Sequence, residues 1–211
     1  MDFTKEELEA KIKPGFRVKQ IFSWVYTKYV ENKKKKKNLP KAMKEELSKE
    51  YIINPLQIAA KQESVDGSIK YLFKLQDDHT IEAVLLKMSD TQYHEDGAIK
   101  HHPKYTICVS TQVGCKVGCA FCLTAKGGFV RNLTPGEIVA QVLWIKKDND
   151  LDVTRKTNIV YMGMGEPLDN FDNLVKAIKI FKEQDGLSIS AQRQTVSTSG
   201  LGKQIYKLGN A

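Results

Sequence analysis

Near the start of the chain apolar residues recur every three or four positions; beyond about Gln57 they alternate with polar ones. Thr4-Lys5-Glu6-Glu7 has the form of a capping box, so a first helix is expected to open there and to end before Pro14-Gly15. Val18, Ile21, Phe22, Val25 and Tyr29 fall on one face of a second helix, and a third helix is expected after Pro40. Residues 1–55 therefore read as a small helical module. Lys70-Tyr71-Leu72-Phe73-Lys74-Leu75 and Thr80-Ile81-Glu82-Ala83-Val84-Leu85-Leu86 read as the strands of a hairpin turning at Gln76-Asp77-Asp78-His79. Residues 90–104 are polar and contain Gly97 and Pro103, which predicts a loop or linker.

From Tyr105 onward the pattern is strand then helix, three times over. Strands are expected at Tyr105 to Thr111, Thr157 to Met162 and Gln194 to Ser197. Helices are expected at Pro135 to Lys147, Asn170 to Gln184 and from Gly202 to Leu208. Repeated βα units imply a parallel sheet. Three parallel strands cannot close a barrel, so the chain reads as part of a longer (β/α) protein. The fold class expected is α+β and α/β: a helical domain at 1–55, a β-hairpin and linker at 56–103, and half of a barrel at 104–211.

Composition narrows the class. The chain has 211 residues, 41% hydrophobic and 27% charged, which excludes disordered and collagen-like chains. The N-terminus carries no apolar leader and no run is long enough to span a bilayer, so a cytoplasmic location is expected. Net charge is +8, and it is uneven: residues 1–55 carry 14 basic and 8 acidic side chains. That imbalance, with the run Lys33 to Lys37, points to a polyanionic partner at the N-terminal third. A solvated loop is the competing reading of the lysines.

Four cysteines are too few for a disulfide framework, and Cys115, Cys119 and Cys122 lie within eight residues. Three thiolates on one tight loop can hold three irons of a cubane cluster and leave the fourth iron open to a small molecule. Gly114 and Gly118 would let the backbone turn closely around it. The alternative is a zinc knuckle completed by Cys108, His101 or His102. Cys108, within an apolar strand, otherwise reads as a core thiol.

The CxxxCxxC spacing, with aromatic Phe121 before the third cysteine, resembles the radical S-adenosylmethionine enzymes. Met162-Gly163-Met164-Gly165-Glu166-Pro167 is similar to the Gly-Glu-Pro motif of that superfamily. Several segments narrow the resemblance to the RlmN/Cfr methyltransferase family. They are Cys108 to Cys115, Gly128-Phe129-Val130-Arg131-Asn132-Leu133-Thr134, Gly163 to Leu168, Thr195-Val196-Ser197-Thr198-Ser199-Gly200 and, near the N-terminus, Arg17 to Trp24. The family segment between Trp24 and Asn38-Leu39-Pro40 is usually acidic and aromatic, yet here it holds five lysines, and the 90–104 loop is longer than usual.

What the resemblance implies is a methyltransferase acting on carbon 2 of an adenine in 23S rRNA and, in some members, tRNA. One S-adenosylmethionine methylates a cysteine near the enzyme's C-terminus. A second is cleaved reductively at a 4Fe–4S cluster, giving a radical that activates the new S-methyl group. A second cysteine then resolves the protein–RNA adduct by forming a disulfide. On this resemblance Cys115, Cys119 and Cys122 hold the cluster, and Phe121, Gly165, Glu166 and Ser197 contact S-adenosylmethionine. Glu82 is the proton acceptor, and Cys108 is the resolving, disulfide-forming thiol. From residue pattern alone Glu82 is an outward strand residue. A monomer served by an electron donor such as flavodoxin is also implied. The methyl-carrying cysteine is absent, so this chain alone is expected not to turn over. A carbon-8 methyltransferase of the Cfr type and a non-catalytic, metal-stabilised RNA-binding module are the competing readings.

Overall fold

The computed structural model describes residues 2–27, 40, 45, 47, 52, 54–151 and 157–211. Tyr29, Lys33 to Lys37 and most of the helix expected after Pro40 lie outside the described residues. The first two helices form as the pattern predicts: α1 spans Lys5–Lys11 and α2 spans Phe16–Phe22, continued by a π-turn at Ser23–Thr27. Thr4 closes the capping box with Glu7, its hydroxyl accepting the Glu7 N–H at 3.3 Å while its own N–H donates to Glu7 Oε2 at 2.8 Å. Such a cap contributes about 1 kcal/mol.

Strands β1 (Gln57–Glu63), β2 (Ile69–Lys74) and β3 (Thr80–Ser89) form an antiparallel meander. The stretch expected to be a loop instead contains a small separate hairpin, β4 (Gln92–Tyr93) and β5 (Ile99–His101), closed by a turn in which Asp96 Oδ1 accepts the Ala98 N–H at 2.9 Å. Its polar composition hid it, because all five strand residues are exposed and no buried face sets an alternation.

Next come β6 (Lys104–Cys108), β7 (Gln112–Gly114), α3 (Leu123–Lys126), β8 (Phe129–Asn132) and α4 (Pro135–Asp148). They are followed by β9 (Thr157–Tyr161), α5 (Phe171–Lys182), β10 (Gln194–Val196) and α6 (Gly202–Gly209). One six-stranded sheet runs in the order β1-β2-β3-β6-β9-β10, antiparallel as far as β6 and parallel from β6 to β10. The N-terminal meander and the βα units therefore share a single sheet.

Strand alternation gives that sheet two unlike faces. Tyr71, Phe73, Ile81, Ala83, Leu85, Ile107, Ile159 and Tyr161 are buried on one of them. They join Ile138, Val142 and Ile145 of α4 and Leu174, Ala177, Ile180 and Phe181 of α5 in one core. Each such large side chain contributes roughly 1.5–3 kcal/mol by leaving water. On the other face Glu82, Val84, Leu86, Cys108 and Val160 are only half-buried.

The helical module is fastened to the βα units. Asp2 Oδ1 accepts the Gly136 N–H at the start of α4 (2.8 Å). Lys5 pairs with Asp185 at 2.8 Å and Glu183 at 3.3 Å, and Glu7 pairs with Lys176 at 2.8 Å.

Candidate metal and cofactor site

Because β6, β9 and β10 are parallel, the loops that leave their carboxyl ends gather along one edge of the sheet. In open α/β sheets this is the edge at which ligands bind. The loop after β6 carries the cysteines, the loop after β9 carries Gly163, Gly165 and Glu166, and Ser197 follows β10 directly.

The cysteine loop is bracketed by the β7–β8 hairpin, in which the Cys115 N–H donates to the Gly128 carbonyl at 2.9 Å. Gly114 has φ +76° and lies so close to Gly128 that an added Cβ would sit 1.9 Å from its carbonyl oxygen, so only glycine closes this hairpin. Cys115, Cys119 and Cys122 are half-buried free thiols. Cys122 stands at the start of α3. The Ala125 N–H aimed at its sulfur, together with the Thr124 N–H and hydroxyl, holds its pKa below the usual thiol value and favours the thiolate. Phe121, between the second and third cysteines, is 93% exposed.

Among the described residues no three His, Cys, Asp or Glu side chains converge on one point as a single ion requires. Cys108 sits on a strand, and His101 and His102 are exposed at the end of β5 and beside it, so none of them completes a closed four-ligand zinc site with the loop. A cubane differs, since each thiolate binds its own iron, and an all-thiol set on a glycine-shaped loop suits it. The residues present fit a three-thiolate cluster.

The Gly-Glu-Pro loop is tied tightly to the segment just before the cysteines. Thr111 N–H and Gln112 N–H both donate to the Met164 carbonyl, at 2.8 and 3.2 Å, and Gly163 N–H donates to the Val109 carbonyl at 3.1 Å. Gly165 has φ +101°, and a Cβ there would stand 2.5 Å from that of Gln112. Glu166 is 3% exposed. Its Oε1 accepts the Leu168 N–H at 3.0 Å, and its Oε2 accepts the Ser199 N–H at 2.7 Å and the Ser199 hydroxyl at 2.8 Å. Ser197, the residue singled out from the sequence, is exposed, whereas Ser199 makes this contact.

Glu82 and Cys108 come together on the open sheet face. Val84 pairs with Cys108 across β3 and β6, so Glu82, two positions from Val84, is a diagonal neighbour of Cys108, roughly 7–8 Å away by sheet geometry. Glu82 Oε1 pairs with Lys70 Nζ at 2.6 Å, and its carbonyl accepts the Ser110 hydroxyl at 2.6 Å. Burial pushes the Cys108 thiol pKa up, partly offset by the Met162 N–H. The disulfide expected at Cys108 is corrected here: all four cysteines are free.

Sequence reasoning assigned no role to the residues that join these loops. Gln141, fully buried on α4, pairs with both backbone groups of Ser110: its Oε1 accepts the N–H at 2.9 Å and its Nε2 donates to the C=O at 3.0 Å. The Ser110 hydroxyl in turn accepts the Met164 N–H at 2.8 Å. Gln112, also fully buried, reaches Glu166, Asn132 and Asp169. A glutamine inside an otherwise apolar helix face was the one available signal for Gln141.

Residues 109–207 match the model of the radical SAM superfamily, and residues 1–53 match that of the ribosomal RNA large subunit methyltransferase N-terminal domain. The chain is 62% identical over 208 residues to the dual-specificity RNA methyltransferase RlmN of Sulfurovum sp. (strain NBC37-1), covering 99% of this chain and 58% of that protein. It is 63% identical to the RlmN of Sulfurimonas denitrificans, covering 99% and 59%. A crystal structure of a radical SAM methyltransferase from Sphaerobacter thermophilus superposes with a TM-score of 0.85 at 37% identity, over 100% of this chain and 59% of that one. The chain thus spans somewhat over half the length of the relatives it matches. No helix among the described residues is long and apolar enough to cross a membrane.

Proposed function

We propose, for a chain whose sequence belongs with the RlmN family of radical SAM proteins, that it forms the cofactor-binding part of an RNA methyltransferase acting on an adenine carbon. Relatives of this kind use a 4Fe–4S cluster and S-adenosylmethionine. The observation that carries the reading is the loop of three free thiols at the carboxyl edge of three parallel strands, stitched to a buried Gly165-Glu166 pair. Bound there, the two cofactors supply one-electron chemistry that can functionalise a carbon too electron-poor for ordinary sulfonium transfer.

The residues divide the work. Cys115, Cys119 and Cys122 would hold the cluster as thiolates. The glycines after β9 let backbone carbonyls approach an ammonium group, and the Glu166 carboxylate, already accepting three hydrogen bonds, fixes that loop. Phe121 offers an uncovered ring for stacking on a purine, and Ser197 offers a hydroxyl at the end of β10. Glu82 and Cys108 face the substrate side of the sheet. The Glu82 carboxylate, paired with Lys70, accepts a proton from an adenine carbon. Basic residues of the N-terminal module bind RNA phosphates, and a small redox protein such as flavodoxin delivers the electron.

Carbon 2 of adenine in 23S rRNA and tRNA is the assigned target. The test is a nucleoside digest from cells in which the protein bearing this chain carries Cys119→Ala. 2-Methyladenosine disappears if the assignment is right. An unchanged level contradicts it, and loss of 8-methyladenosine instead would reassign the carbon.

A further inference from the structure

Gln112 makes three side-chain hydrogen bonds and is 0% exposed. Its Oε1 accepts the Glu166 N–H at 2.8 Å, and its Nε2 donates to Asn132 Oδ1 at 2.8 Å and to Asp169 Oδ2 at 2.7 Å. Asp169 Oδ2 also receives Lys116 Nζ at 3.2 Å, and Lys116 directly follows the first cysteine. On the other side Glu166 reaches Ser199. The contacts Lys116–Asp169–Gln112–Glu166–Ser199 therefore run without a break from the cysteine loop, across the loop after β9, to the loop after β10.

A carboxamide suits the centre of this chain because it accepts at one end and donates twice at the other. A carboxylate at 112 would face Asp169 at the same 2.7 Å with no proton to share, and an apolar residue would leave the Glu166 N–H, Asn132 and Asp169 without their partner. Gly165 packs directly on this side chain, since a Cβ there would stand 2.5 Å from that of Gln112.

We propose that Gln112 is the positioning residue that sets the spacing between the cysteine loop and the Gly165-Glu166 loop, and so sets how tightly an S-adenosylmethionine bridging the two is held. This rests on the cofactor reading above. The same geometry supplies a rescue. In Gln112→Glu combined with Asp169→Asn, the donor and acceptor exchange places. The amide introduced at position 169 donates to the carboxylate introduced at position 112, the Glu166 N–H keeps its acceptor, Asn132 turns its own amide to donate, and the half-exposed Lys116 shifts from position 169 to the carboxylate at 112.

The experiment compares wild type, Gln112→Glu and the double variant as the 211-residue chain, with two readouts. Amide hydrogen exchange without cofactors reads the loop directly. The Glu166 region exchanges at least about tenfold faster in Gln112→Glu while β9 keeps its protection, and the double variant restores it. After anaerobic cluster reconstitution, titration with S-adenosylmethionine followed by EPR reads the positioning. Iron content stays at the wild-type level in all three, half-saturation rises at least about tenfold in Gln112→Glu, and it returns to within about threefold in the double variant. Unchanged half-saturation in Gln112→Glu overturns the proposal, as does a double variant no better than the single one. A wild type that assembles no cluster overturns the cofactor reading, and the exchange difference at Glu166 then stands apart as a purely structural effect.

Discussion

Glu166 and Ser199 close the carboxyl edge of the sheet: one carboxylate oxygen of Glu166 accepts both the N–H and the hydroxyl of Ser199, at 2.7 and 2.8 Å. The two residues are 33 positions apart and follow different strands. A buried carboxylate held this way makes charge-assisted bonds stronger than neutral ones. Ser199→Ala removes the hydroxyl and leaves the N–H, so it is expected to lower stability by about 1 kcal/mol in urea denaturation. Glu166→Leu strands the Ser199 and Leu168 N–H groups and is expected to cost about 3 kcal/mol. Equal effects of the two would contradict the assignment.

Gln141 supports Ser110 in the manner of an extra strand, as donor and acceptor at once. Gln141→Leu keeps the volume but leaves two buried backbone groups unpaired, with an expected loss of about 2–4 kcal/mol. Gln141→Glu turns the donor into an oxygen facing the Ser110 and Glu137 carbonyls in a fully buried site, and is expected to cost at least as much as leucine. Chemical denaturation of the three proteins orders them.

The glycines after β9 differ sharply from Gly15. Gly165→Ala combines φ +101° with a 2.5 Å approach to Gln112 and is expected to destabilise by more than about 2 kcal/mol. At Gly15 nothing lies within 4 Å and φ is −55°, so alanine there is expected to stay within about 1 kcal/mol of wild type. Thermal melts of both variants make the comparison.

Arg131 joins the turn between β2 and β3 to the start of α4, bonding Asp77 Oδ2 through Nε at 2.6 Å and both Glu137 oxygens at 2.8 Å. The Arg131 guanidinium holds the Asp77 pKa down to about 2, from an ordinary 3.8. A depressed carboxylate stabilises the fold above its unfolded value and loses that contribution as pH falls through the folded one. The window is therefore pH 3.8 down to about 2. Because Asp77 is partly exposed, the contribution is about 1 kcal/mol after solvent screening. Asp77→Asn is expected to be less stable than wild type at about pH 5 and to converge with it near pH 2. Parallel stability curves across that range would contradict the account.

Much of this architecture was legible in the sequence because burial enforces period. Ile81, Ala83 and Leu85 alternate because one sheet face is core, and the capping box at Thr4 marks its helix locally. The cysteine loop and the Gly165-Glu166 pair were legible because their residue types and spacing are chemically constrained. The β4–β5 hairpin was not, since nothing in it is buried. Nor were Gln112, Gln141, Asp169 and Ser199: their roles arise from contacts between residues 20 to 57 positions apart, which no local pattern encodes. The disulfide attached to Cys108 came from resemblance alone, and the free thiols correct it.

The central claim is that Cys115, Cys119 and Cys122 hold a cluster with one iron open to S-adenosylmethionine. Anaerobic reconstitution with iron and sulfide, followed by EPR of the reduced protein with and without S-adenosylmethionine, tests it most directly. The account expects about four irons per chain, a cubane signal that changes on adding S-adenosylmethionine, and loss of both in Cys119→Ala. Zinc in place of iron, or a cluster signal indifferent to S-adenosylmethionine, would contradict it.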